Sequence, residues 1–288
     1  MGILDFFGPK WRHSNNDIRR SAVSRLSDEA LLAKIAKTDR APGVRIAAVR
    51  ELRGSAQGAL LSEIARTDCD EDVREAAVDR LDDQDVLAEI AGTNSNKRVR
   101  WLAVKKLSNQ TLLAEIAKTD NDENIRKAAF EGLIDGALLA EIFKTAGDGN
   151  VRRLAVTRLA EQASLVHIRT IYATNVDKDR RNTAAKLDNE YQILLANIAK
   201  TDSDASMRRI AAEALTDQVV LAEIAKMDSD SYVRRVVVER IDDHAILAEI
   251  AKTDCENSPV YAVSMKDIRG KLPELRDLSV GRAVRSGA

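Results

Sequence analysis

The chain has 288 residues, with 45 Lys plus Arg against 46 Asp plus Glu and a formal charge of −1. That balance excludes the strong basic excess of a dedicated nucleic-acid binder, and no apolar run reaches the roughly 20 residues that span a bilayer. Two cysteines, Cys69 and Cys255, cannot supply a four-cysteine zinc or iron–sulfur site.

The amino-terminal segment 1–14 concentrates Ile3, Leu4, Phe6, Phe7 and Trp11. The segment is too short and too acidic for a signal peptide, and Phe6 stands where a myristoylation motif needs Ser or Thr. It is expected to cap the first repeat, or else to dock on a partner or membrane surface.

From residue 15 to about 260 one phrase recurs, Leu-Ala-Glu-Ile-Ala-Lys-Thr-Asp, a polar turn, then Val-Arg-x-Ala-Ala-Val-x-x-Leu. Its arginine falls at Arg19, Arg45, Arg74, Arg100, Arg126, Arg152, Arg180, Arg208 and Arg234. Five of the eight steps between them are equal, and the other three are longer by two or three positions. A fixed period of this size marks a stacked repeat array. The longest step, from Arg45 to Arg74, coincides with the turn-type stretch 54–58, and the two others flank a degenerate repeat at about 165–192. A tenth unit starts at Leu247-Ala248-Glu249-Ile250 and loses its arginine to Val260. The segment 261–288 reads as a closing cap, Tyr261 to Leu278, and a tail.

Each unit predicts two helices. In the first, such as Val86 to Ala91, apolar residues fall at i, i+1, i+4 and i+5. In the second, such as Val73 to Leu81, Val73, Ala77 and Leu81 share one face. Asn15, Asp70, Asn96, Asp122, Asp148, Asp204 and Asp230 each stand three residues before the second helix's first apolar residue, where a side-chain oxygen caps free N–H groups. Neither helix buries its stripe alone, so one continuous solenoid is expected rather than two globules. Cys69 and Cys255 would then lie far apart, and the reduced pair suggests a cytoplasmic chain.

The Asp-x-x-Val-Arg-x-x-Ala-Val-x-x-Leu phrase resembles the second helix of HEAT-like repeats, most of all the short kind found in bilin-lyase-type proteins, over about residues 15–255. The resemblance implies an all-α, right-handed α-solenoid of about nine helix pairs. It implies little about activity, because such repeats occur in scaffolds, lyases, an iron-dependent hydroxylase and DNA glycosylases.

Four features are candidates for function. The arginines Arg45, Arg74, Arg100, Arg126, Arg152, Arg208 and Arg234 follow an acidic column, Asp39, Asp68, Asp120, Asp202 and Asp228, with Asn94 once. The resemblance implies a structural ladder linking neighbouring repeats. The column one residue on reads Arg20, Ile46, Glu75, Trp101, Lys127, Arg153, Arg181, Arg209 and Arg235. About 100° round the helix from the ladder, it should face solvent, on what the resemblance implies is the concave side. Its basic run could hold an acidic partner segment or a phosphate backbone, or be ordinary surface charge, since Glu131, Glu213 and Glu239 follow at i+4. Trp101, followed by Lys105 and Lys106, is a candidate anchor. The degenerate repeat adds His167, Tyr172 and Tyr191, a candidate bend or site.

No His–Glu pair, phosphate-binding glycine loop or nucleophile elbow marks catalysis. The expectation is a non-catalytic scaffold that binds a protein or peptide through Trp101, Lys105, Lys127, Arg153, Arg181, Arg209 and Arg235, with no cofactor and no metal. Nucleic-acid binding and a bilin-lyase-type role are the alternatives.

Overall fold

The computed structural model describes residues 9–53, 57–172 and 178–253, giving backbone alone at 172, 178–181, 244, 248 and 251–253. The apolar stretch 3–7, Cys255 and the expected closing cap lie outside the described residues. Among those described, helices alone form the regular structure. After a 3-10 turn at Lys10–Arg12 come α1 (Asn16–Val23), α2 (Glu29–Thr38), α3 (Pro42–Glu51), α4 (Gly58–Thr67), α5 (Glu71–Arg80), α6 (Gln84–Thr93), α7 (Lys97–Lys106), α8 (Gln110–Thr119) and α9 (Glu123–Gly132). Then follow α10 (Gly136–Thr145), α11 (Gly149–Tyr172), α12 (Lys178–Thr201), α13 (Ala205–Glu213), α14 (Gln218–Met227), α15 (Ser231–Val238) and α16 (His244–Thr253). The helices divide into two compact units, residues 1–133 and 134–288, each an all-α solenoid in which helices pack on their neighbours in sequence.

The expected apolar stripes form the core. Val73, Ala77 and Leu81 are buried, as are Leu87, Ile90 and Ala91 in the helix that follows. Each fully buried Leu or Ile contributes about 1.5–3 kcal/mol, so a short helix is held by three or four such contacts rather than by its own propensity. Side-chain caps start helices of both kinds, though not α3 or α4. Asp70 accepts from the N–H groups of Asp72 and Val73, and Asn96, Asp122 and Asp230 do the same in their turns. A second capping column, Asp28, Asp83, Asn109, Asp135 and Asp217, starts the first helices.

The degenerate repeat is not a repeat. At 24 residues each, α11 and α12 are more than twice the usual length here. The first half of α11 is an ordinary second helix with Arg152, and the last part of α12 is an ordinary first helix ending in Asn197-Ile198-Ala199-Lys200-Thr201. What lies between is a helical hairpin that runs on roughly 20 Å farther than its neighbours at about 1.5 Å per residue. Leu159, Ala163 and Val166 on α11 and Tyr191 and Leu195 on α12 are buried and extend the core into it. Beyond them Leu165, Ile168 and Ile171 are exposed. Arg180 therefore lies in a first-type helix and is no rung of the ladder, so eight second helices, not nine, occur among the described residues.

Candidate partner-binding surfaces

A ladder arginine with both partners in place joins two turns, as Arg45, Arg100 and Arg208 do. The arginine Nη1 donates to the carbonyl of the acidic-column residue in its own turn, as Arg45 to Asp39 at 2.9 Å, Arg74 to Asp68 at 2.6 Å, Arg126 to Asp120 at 2.8 Å and Arg234 to Asp228 at 2.9 Å. The rest of the guanidinium grips the carboxylate of the next turn. Arg45 holds Asp68 at 2.7 and 2.9 Å, Arg208 holds Asp228 at 2.8 and 2.9 Å, and Arg100 lies 3.7 Å from Asp120. Arg152 pairs with Asp202 across the hairpin. The acids also accept the N–H two residues on, as Asp228 does from Asp230 at 2.8 Å.

The acids' surroundings set their protonation. Burial pushes Asp39 and Asp228 up, but the guanidinium bonds from Arg19 and Arg208 and the backbone N–H groups outweigh it, leaving both carboxyls below their usual range. Two rungs depart from the rule. Asn94 replaces the acid expected for Arg74, and Ala146 replaces the one expected for Arg126, whose Nε is buried without a hydrogen-bond partner.

A second ladder, not anticipated from the sequence, runs along the first helices. Lys37 bridges Glu63 at 2.6 Å, Arg66 bridges Glu89 at 2.5 Å and Lys226 bridges Glu249 at 2.9 Å, with Lys200 and Glu223 likewise paired. This is why the phrase carries both Glu and Lys.

The basic column is exposed, as expected, but its cations are engaged. Lys127 bridges Glu123 at 2.7 Å rather than Glu131, because Glu131 is taken by Lys105 at 2.9 Å. Arg209 bridges Glu213 at 3.0 Å and Arg235 bridges Glu239 at 3.2 Å. Arg153 has a long bond to Asn150, 3.4 Å. Arg181 leaves the column because α12 is a first-type helix, and its side chain lies outside the described residues. Trp101 is half-buried, with the Lys105 ammonium 5.5 Å from its ring centre. Lys106 donates to the Asp79 carbonyl.

A cavity of about 720 Å³ lies in the second unit between α10 and α12. It follows from the hairpin. In several repeats a glutamine on the first helix clamps the turn after the second helix, as Gln84 does with Lys106 and Ser108 and Gln218 with Arg240 and Asp242; Gly58 and Gly136 stand at that position in α4 and α10. Beside Gly136, α11 runs on through the place where other second helices end in a turn. The Tyr191 ring fills the space, so close that a Cβ on Gly136 would lie 2.7 Å from it. Its hydroxyl donates to the Ile134 carbonyl at 2.9 Å, and burial raises its pKa above the ordinary phenol value.

The groove beside this contact has Ile134, Leu187 and Ile193 on its walls, 60%, 40% and 53% exposed. Sequence reasoning passed over these residues.

The histidines do not converge. His13 accepts from the Asn15 N–H at 3.0 Å, His167 lies 2.9 Å from Asp188, and the His244 side chain lies outside the described residues. Among the described residues no group of three or more His, Cys, Asp or Glu could hold a metal, and no helix is long and apolar enough to cross a membrane. The chain matches no protein-family model, and no curated protein matches it.

Proposed function

We propose that this chain is a HEAT-like repeat scaffold that binds a protein partner without catalysis, and that the α10–α12 groove is its docking surface. The groove carries the reading. Three large apolar side chains stay in water there, and an unburied cluster of this kind is a usual mark of an interaction site. The support around it is stiff. The arginine ladder, the helix caps and the Tyr191 contact fix both walls before anything binds, which lowers the ordering cost of association.

The basic column supports the reading less well than its charge suggested. Most of its cations already have carboxylate partners, and a phosphate backbone would have to displace them. The engagement of Lys105 and Lys106 also weakens the nucleic-acid alternative.

Affinity capture from the host with Leu187→Asp/Ile193→Asp, compared with Arg153→Glu/Arg209→Glu/Arg235→Glu, tests the assignment. A partner lost by the first variant and kept by the second supports the groove. The opposite pattern assigns binding to the basic column.

A further inference from the structure

Resting on the groove as the docking surface, we infer that its occupant is an amphipathic helix of the partner with basic residues beside its apolar stripe. The walls offer apolar contact from Ile134, Leu187 and Ile193 and little backbone to pair with. The N–H and C=O groups of α10 and α12 are spent within their helices, and Asp135 caps the first of them. An extended segment laid there would bury unpaired backbone groups of its own. A helix satisfies its backbone internally and presents only side chains.

The charge follows from the same surface. Glu141 on α10 and Glu190 on α12 both line the groove, and neither is ion-paired among the described residues. Of the other equivalent glutamates, Glu63, Glu89, Glu223 and Glu249 are neutralised, each bridging a cation of the preceding first helix, and Glu115 follows a helix with Gly92 in the cation's place. Asp135 adds a third carboxylate, and Lys144 is the single cation among the described lining residues. Lys144 lacks the usual next-repeat glutamate because Asn197 stands at that position. The apolar floor thus lies between rims that are acidic on balance, which suits a stripe flanked by Lys or Arg.

The test is fluorescence anisotropy with the full chain and two labelled peptides of roughly four helical turns. They share one leucine stripe and differ in Lys or Glu flanks. The Lys-flanked peptide is expected to bind roughly fivefold tighter or more, an advantage that shrinks at high salt. Glu141→Lys/Glu190→Lys, at exposed positions, should reverse the preference, and Ile193→Asp should abolish binding of both peptides. Equal binding, or a preference unchanged by the charge reversal, overturns the inference. If Ile193→Asp still removes that binding, the groove reading stands. Binding by neither peptide overturns the inference and leaves the groove reading to the capture experiment. A concentration-dependent dimer that Ile193→Asp dissolves assigns the groove to a second copy and also overturns the inference.

Discussion

Arg152 pairs with Asp202, 50 residues farther along the chain, although the equivalent partners elsewhere are 20 or 23 apart. The pair spans the base of the long hairpin. It shows that a whole hairpin interrupts one repeat without breaking the ladder: the packing register resumes at Asp202 as if the hairpin were absent. The insertion is thus accommodated at the end of the helices, where extra length projects away from the core, and it is this overhang that opens the groove.

The ladder predicts unequal costs for neighbouring arginines. Arg45 and Asp68 have side chains 7% and 8% exposed, so Arg45→Met strands a buried carboxylate and should destabilise the chain by about 3–5 kcal/mol. Arg153→Met, one residue beyond a rung and in water, should stay within about 0.5 kcal/mol. Denaturant unfolding of both variants measures the difference. Arg45→Met/Asp68→Leu should regain part of the loss, because the unpaired charge is gone.

Lys37 and Glu63 look similar on paper, since they also link successive repeats, but both are about half exposed. Lys37→Ala should therefore cost under about 1 kcal/mol and less in high salt. A double-mutant cycle with Glu63→Ala reads the coupling directly.

Acid should weaken the fold through the rungs. The carboxyls of Asp39 and Asp228 are held below their usual range in the folded chain. Folding therefore gains stability from them that is complete above the unfolded value, about 3.9 for aspartate, and is lost as pH falls through the lower folded value. Melting temperature should drop below about pH 4, and Asp39→Asn/Asp228→Asn should show a lower but flatter profile.

Gly136→Ala tests the origin of the groove. The added methyl meets the Tyr191 ring at 2.7 Å, so the ring must move and its bond to Ile134 must weaken, at about 1–3 kcal/mol. Spectrophotometric titration should then find the Tyr191 phenol ionising closer to its ordinary value than in the native chain, where burial holds it up. Gly92→Ala, with nothing within 4 Å of the new Cβ, is the control and should be neutral or stabilising.

The repeat made the fold legible. Helix pairs, core positions such as Val73 and Ala77, and the capping aspartates all follow from side-chain period and local hydrogen bonding, which nearby residues decide. Partners one repeat away were less legible. The sequence presents Lys127 with Glu123 and Glu131 on either side, and only packing decides that Lys105 takes the second. The hairpin is hidden because Arg180 falls in step with the ladder by coincidence of spacing, while the continuous helix through residues 149–172 carries no proline or capping signal to stop it. The groove was invisible for a further reason. Ile134 and Ile193 come together through the tertiary path of an insertion, and no local pattern in their own segments distinguishes them from core residues.

The most direct measurement is photo-crosslinking in the native host from a benzoylphenylalanine placed at position 193, beside the same probe at position 153. The account predicts a discrete adduct with a partner protein from 193, absent from 153 and lost when Leu187 is also replaced by Asp. An adduct from 153 with none from 193 would contradict it, and would return the binding surface to the basic column.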